Sequence, residues 1–202
     1  MITLFPTQIH HEKLVKNATA FNRDLLKECY QFREMDEQGR KWSKKNYPGG
    51  YTSYGSISKL FRNSSTFDEL RRKIDKHVLK YARSLDMDTK KHELTMTNLW
   101  VNIVPKHTYH GLHLHPLSTV SGTYYVQVPK NSGDLKFEDP RMSAFMGSAP
   151  RLSSARRENQ RHFSISPKAG EVVLFESWLK HEVTQNLSSQ DRVSVSFNYN
   201  WF

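Results

Sequence analysis

The periodicity of the chain changes once, near Glu93, and that change limits the folds open to it. Downstream, β-favouring residues alternate with polar ones in short runs: Thr95, Thr97, Trp100 and Ile103, then 119–128, 135–137, 162–165, 171–175 and 193–201. Pro, Gly, Asn or Ser turns separate them, giving about eight strands. Alternation at a period of two sends successive side chains to opposite faces of a sheet. Many short strands joined by tight turns make a sandwich or a barrel.

Upstream of Glu93 the spacing is helical. Leu14, Val15, Ala18, Phe21, Leu25, Leu26, Cys29 and Phe32 recur at intervals of three and four, which predicts a helix over 12–32 with one buried face. A second helix opens at a capping box of Thr66 and Glu69 and carries Leu70, Ile74, Val78, Tyr81 and Leu85 to an end at 84–88. Between them, 42–55 reads as a loop rich in aromatics and glycine, able to fold over a site mouth or to pack on the sheet. The expected class is α+β, mainly β, with N-terminal helices packed on one sheet. The expected organisation is a single domain over 1–202, with a mainly helical support region (1–93) and a β core (94–202).

Composition excludes more than it selects. With 37% hydrophobic and 25% charged residues in 202, the chain is an ordinary globular one. It has no apolar run of membrane-spanning length and no secretory N-terminus, so no membrane partner and a cytoplasmic location are expected. A single cysteine, Cys29, excludes an internal disulfide. The net charge of +10 raises the possibility of nucleic-acid binding. The lysines and arginines are nevertheless spread along the chain without a reader motif. The arginine-bearing stretch 141–161, rich in Ser, Ala and Gly, reads as a mobile surface loop, either a solvated connection or a substrate lid.

The chemistry-bearing residues lie in the β half. His113 and His115 are two apart, so on a strand they share a face and can converge on one ion. Imidazole donors suit iron(II), zinc, copper or nickel, whereas calcium and magnesium need oxygen-rich shells. Arg192 and Ser194 stand in the same relation, and a guanidinium beside a hydroxyl offers charge-assisted recognition of a carboxylate. An organic acid beside a transition metal is the implied pairing. His181 follows the apolar run 172–175, at a strand end where ligands are readily presented. The plainer readings are a surface pair for His113 and His115, a packing histidine for His181, and a partner of Asp191 for Arg192. Tyr124 and Tyr125 are adjacent, so one faces inward and one outward. Asn102 and Asn198 are strand amides that line a cavity or satisfy backbone groups. His107 and His110 fall in a loop-like stretch and read as solvated.

Taken in order, these segments resemble those of the iron(II) and 2-oxoglutarate-dependent oxygenases, in particular the prolyl-hydroxylase-like subset and its small bacterial relatives of unassigned substrate. The segments are Leu99-Trp-Val-Asn102, His113-Leu-His-Pro116, Val120-Ser-Gly-Thr-Tyr-Tyr-Val126, Gly133-Asp-Leu-Lys-Phe137, Pro167-Lys-Ala-Gly-Glu-Val-Val-Leu-Phe175, His181 and Arg192-Val-Ser194, within about residues 95–202. The resemblance implies a double-stranded β-helix, the cupin-like jelly roll. It implies His113 and His181 as iron ligands, Arg192 and Ser194 as holders of the far carboxylate of 2-oxoglutarate, and Tyr125 as a helper. Asn102 joins this group as a residue that could line the cavity. The implied catalytic set is His113, His181 and Arg192, with iron(II), 2-oxoglutarate and dioxygen as cofactor and co-substrates. The implied reaction is hydroxylation of an unidentified substrate, a protein side chain, small metabolite or nucleic acid, with release of succinate and carbon dioxide.

One position departs from the wider pattern. Asp or Glu usually stands two residues after the first histidine, and here His115 does. A three-histidine site, a carboxylate from Glu138 or Asp139, or a register that brings in His110 would each resolve this, and same-face spacing favours the first. Two other functions stay open: a three-histidine, cupin-like oxygenase independent of 2-oxoglutarate, and a non-catalytic carboxylate- or nucleic-acid-binding shell.

Overall fold

The computed structural model describes residues 2–202, in which ten strands form two antiparallel sheets. The major sheet runs, in spatial order, β1 (His10–Lys13), β8 (Glu171–Glu176), β5 (Val120–Gln127), β10 (Arg192–Trp201), β3 (Leu94–Val104) and β2 (Tyr51–Thr52). The minor sheet runs β4 (His110–His113), β9 (His181–Val183), β6 (Leu135–Glu138) and β7 (His162–Ile165). Three helices, α1 (Ala18–Met35), α2 (Glu37–Asn46) and α3 (Ser65–Ser84), precede most of the strands. The architecture is a double-stranded β-helix, as the strand pattern and the resemblance imply.

The major sheet owes its sidedness to period-two alternation. One face presents Val101, Ile103, Val195, Phe197, Tyr124, Val172 and Leu174 to Leu25 of α1 and to Phe67, Leu70, Ile74 and Val78 of α3. Leu25, Phe67, Leu70 and Ile74 are all fully buried. At about 1.5–3 kcal/mol for each such side chain, these four contribute roughly 6–12 kcal/mol of gross burial. That is comparable with the whole net stability of a domain, about 5–15 kcal/mol. The helices are therefore part of the core. A second cluster, Tyr125, Leu135, Phe137, Val173, Phe175 and Leu179, lies between the sheets and closes one end of the interior. No described helix is long and apolar enough to cross a membrane.

The structure corrects several boundaries. The helix predicted from residue 12 begins at Ala18, because His10–Lys13 instead pairs with β8 (His10 opposite Leu174, Lys13 opposite Glu171). The loop predicted over 42–55 is partly α2, whose Glu-Gln-Gly-Arg-Lys-Trp-Ser-Lys-Lys-Asn sequence has no apolar stripe to reveal it. It is fixed from its N-terminus. The Asp36 carboxylate accepts from the Gly39 amide at 2.8 Å and from the Tyr51 hydroxyl at 2.9 Å. The cap of α3 is Ser64, not Thr66, since the Ser64 hydroxyl accepts from the Thr66 and Phe67 amides at 3.1 and 3.3 Å. Tyr124 and Tyr125 do face opposite sides of β5, but both are fully buried because helices cover the outward face. Residues 141–161 form a largely exposed connection with short helical turns at Met142–Ala144 and Arg157–Asn159.

The revised cap is testable. Ser64→Ala should lower unfolding free energy by about 1 kcal/mol, while Thr66→Ala should change it by no more than a few tenths. Urea denaturation of the two variants measures the difference, and the reverse ranking would restore Thr66 as the cap.

Candidate active site

The face of the major sheet turned toward the minor sheet is polar, and its residues fall into rows. Asn102, Ser194 and Tyr125 lie side by side across β3, β10 and β5, and Trp100, Ser196 and Thr123 form the next row. Asn198 and Ser121 continue the series. A register shift between Val193 and Ser194 brings Ser194 opposite Tyr125 and re-aims the strand there. Asn102 donates to the Ser196 hydroxyl at 3.0 Å, leaving its buried carbonyl oxygen without a partner. The first two rows line a cavity closed on its other side by Tyr47, His110, His113, His115, Leu135, His181 and Val183.

Three histidines meet in this cavity. His113 ends β4 and lies opposite His181 at the start of β9, while His115 sits just past the end of β4. Their ring centroids are 4.3 Å (His113–His181), 5.1 Å (His115–His181) and 5.2 Å (His113–His115) apart, and one nitrogen of each lies within 4.8 Å of the others. Hydrogen bonds on the far side of each ring assign the tautomer. His113 Nδ1 faces the Gly111 carbonyl at 2.8 Å and His181 Nδ1 faces the Leu179 carbonyl at 2.9 Å. A carbonyl only accepts, so each Nδ1 carries the proton and each Nε2 keeps a free lone pair. His115 Nδ1 likewise faces Asn198 Oδ1 at 2.8 Å and the Ser121 hydroxyl at 2.9 Å. Ser121 also donates to Asn198 and bonds Ser177, so the support beneath His115 is a buried network.

Burial also keeps these rings neutral. Loss of solvation, with His113 nearby, pushes His181 down to about 2. Loss of solvation lowers His115 to about 4 despite the Asn198 hydrogen bond, and it lowers His113 as well. Three neutral imidazoles with Nε2 lone pairs turned inward and Nδ1 tied outward form a donor set that fits a transition metal such as iron(II). Among the described residues no carboxylate joins them. Asp139 is held by Arg141 at 2.9 Å and shapes a turn, and Glu138 faces Lys180 and His162. His110 is not in a solvated loop. It belongs to β4, stacks on His113 at 4.3 Å and lines the cavity, where burial lowers it to about 4.

Arg192 is the second focus. It is only 1% exposed, and among the described residues no carboxylate pairs with it. Asp191, the plain alternative, accepts from Tyr30 instead. The guanidinium lies over the Tyr125 ring at 5.2 Å, reaches the Gly133 carbonyl at 3.5 Å, and leaves Nε without a partner. Gly133 has φ +87° and packs so tightly that a Cβ would lie 2.2 Å from the Thr184 carbonyl oxygen, so that turn requires glycine. The buried hydroxyls of Tyr125 and Tyr47 also lack partners. Burial raises both, Tyr47 to about 12, so both remain donors at neutral pH. A buried cation with unpaired donors around it is suited to an anion. Ser194, 5% exposed, lines the same cavity.

Trp100, Thr123 and Ser196 are not singled out for the site by the sequence, Tyr47 is expected there only as part of the stretch 42–55, and Asn198 is not expected to support a ligand. The alternation Ser194, Ser196, Asn198 against Val193, Val195, Phe197 was the available signal for a polar inner face. Tyr47 had none beyond its aromatic-rich surroundings.

Residues 98–198 match the model of the family described as "Putative 2OG-Fe(II) oxygenase". The chain belongs to this family. The family depends on iron(II) and 2-oxoglutarate, and these are the cofactor and co-substrate of the oxygenase. Its fold is similar to that of a Pseudomonas putida prolyl-4-hydroxylase (16% identity, 96% of this chain and 92% of that one, TM-score 0.63). It is also similar to the non-heme alpha ketoglutarate dependent epimerase SnoN from nogalamycin biosynthesis (14%, 96% and 76%, TM-score 0.69). A third similar structure is HygX from Streptomyces hygroscopicus with nickel and 2-oxoglutarate bound (14%, 96% and 83%, TM-score 0.60). At these identities the likeness is one of fold. A comparison with curated protein sequences finds no match.

Acid should unfold the metal-free oxygenase early. His110, His115 and His181 have folded values below that of an unfolded histidine, 6.5. The unfolded state therefore binds more protons, and the stability from neutral burial is complete above about 6.5 and lost as the pH falls toward 4 and below. Melting temperatures of the chelated protein should drop across pH 6.5 to 4, and a flat profile would argue against three buried neutral rings.

Proposed function

We propose that the oxygenase holds iron(II) through His113, His115 and His181 and binds the far carboxylate of 2-oxoglutarate at Arg192. It then hydroxylates an organic substrate with dioxygen, one oxygen atom entering the product and the other entering succinate as carbon dioxide is released. The observation that carries this reading is the buried guanidinium of Arg192, without an acidic partner, in the same cavity as three inward-facing imidazoles. A metal alone would not call for that cation, and a carboxylate binder alone would not call for the histidines.

The roles follow from the side chains. Arg192 supplies charge-assisted hydrogen bonds to a carboxylate, and the Tyr125, Tyr47 and Ser194 hydroxyls stand ready as further donors. Asn198 and Ser121 fix the His115 ring so that its lone pair faces the cavity. Three neutral ligands leave the full charge of a divalent ion in a site shielded from bulk water, so a dianionic co-substrate is favoured there. Trp100 separates the histidines from the partly exposed Tyr54, with ring centroids 5.8 Å from His115 and 4.8 Å from Tyr54. These rings limit water on that side and make one wall of a substrate approach. Bound iron and 2-oxoglutarate, together with dioxygen, would supply the oxidising chemistry that no side chain here can provide.

Anaerobic addition of iron(II) and 2-oxoglutarate should produce a visible metal-to-ligand charge-transfer band that His181→Ala abolishes. Tight iron binding with no band would favour a three-histidine enzyme that does not use the keto acid. Arg192→Ala should raise the 2-oxoglutarate concentration needed for half-maximal band intensity by about 10- to 100-fold, the loss of roughly 1.5–3 kcal/mol from a charged hydrogen-bond pair. An unchanged requirement would remove Arg192 from the carboxylate site. Arg192→Lys serves as a second variant that keeps the charge but loses the planar fork.

A further inference from the structure

A second set of metal-type donors lies away from the cavity, on the outer edge of the major sheet. β1 places His10 and Glu12 two residues apart on one face, and α3 turns His77 toward them. The His10 and His77 side chains are 9% and 19% exposed, and Glu12 is 42% exposed. His10 Nε2 is 2.9 Å from His77 Nδ1, and Glu12 Oε2 is 3.8 Å from the first and 3.7 Å from the second.

These distances admit two ways of satisfying the group. A proton can bridge the two nitrogens, but it leaves the Glu12 oxygen beyond hydrogen-bond range of both. A single cation can serve all three. The triangle they form has a circumscribed radius of about 2.0 Å, and zinc-type ions bind imidazole nitrogen and carboxylate oxygen at about 2.0–2.2 Å. An ion at or slightly above the centre of the triangle would therefore reach every donor without movement of the backbone. The second carboxylate oxygen, Oε1, is taken by Lys80, one turn beyond His77. That bond turns the carboxylate so that Oε2 alone faces the rings, the arrangement expected of a ligand supported from outside. Burial lowers both histidines, His10 and His77, in keeping with neutral donors.

We propose that His10, Glu12 and His77 form a second metal site, for a divalent ion of the zinc type, separate from the oxygenase centre. With three protein ligands it retains an open position for water. The ion would tie the first strand of the major sheet to α3, joining residues 67 positions apart in the chain, and would stabilise the fold in proportion to its occupancy.

The test uses zinc and cobalt(II) on the full chain carrying His113→Ala, His115→Ala and His181→Ala, so that the oxygenase centre is absent. Equilibrium dialysis should find one zinc bound, cobalt should give a visible d–d spectrum, and zinc should raise the melting temperature. Glu12→Gln, at an exposed carboxylate that should not disturb folding, should weaken zinc binding by at least about tenfold. His77→Gln should abolish it, with circular dichroism confirming the fold. In the chain with its cavity histidines intact, His77→Gln should lower bound zinc by one equivalent whatever the cavity holds. No zinc bound in the triple variant, or binding indifferent to both Glu12→Gln and His77→Gln, would overturn the site and leave His10 and His77 as a hydrogen-bonded pair.

Discussion

The whole arrangement depends on which face of the major sheet is dry. Helices α1 and α3 seal the apolar face with fully buried Leu, Ile and Phe side chains, and this frees the opposite face to be polar and still interior. In a sandwich with apolar residues on both inner faces, Asn102, Ser194, Ser196 and Asn198 would each carry a desolvation cost without purpose. Here Asn102 bonds Ser196 and Asn198 bonds a histidine, and the unpaired donors of Tyr47, Tyr125 and Arg192 converge on one cavity. The helical half of the chain thus makes the chemistry of the other half possible without contributing most of its residues.

Within that cavity the protein holds two unresolved electrostatic situations side by side. Three imidazoles offer lone pairs to a cation, and Arg192 offers charge to an anion. A buried guanidinium facing only an aromatic ring and a carbonyl is under-compensated, since a ring contributes on the order of 0.5–2 kcal/mol while removal of the charge from water costs several. Each situation is relieved by a ligand of the sign that the family's cofactor and co-substrate bring. Under the proposed function the donors and lone pairs already line the cavity, so binding would need little reorganisation.

Much of this was legible in the sequence, for physical reasons. Strongly alternating segments such as 162–165 and 193–201 coincide with strands to within a residue, because one buried face fixes both their type and their register. The residue pairs two apart, His113 with His115 and Arg192 with Ser194, do face one cavity. Less was visible where tertiary contacts overrode local pattern. β1 and β9 are four and three residues long, too short to show a period, and exist because a neighbouring strand supplies their hydrogen bonds. α2 has a polar sequence and is held by the Asp36 cap. His110 looked like a loop residue beside Gly111, yet pairing with Val183 draws it into β4 and against His113. Tyr47 reaches the site from a helix terminus distant in sequence, a placement no local pattern encodes.

β10 is hydrogen-bonded on both sides, to β5 and to β3, and carries Arg192, Ser194, Ser196 and Asn198 on one face with Val193, Val195 and Phe197 on the other. A slip of one residue in its pairing would drive the guanidinium and three polar side chains into the helix-packed core and turn the apolar set toward the histidines. Such a species would be both unstable and unable to bind ligands. The strand therefore acts as its own inspector: a chain that has docked β10 in the wrong register is marked for unfolding before it can persist as a half-working catalyst.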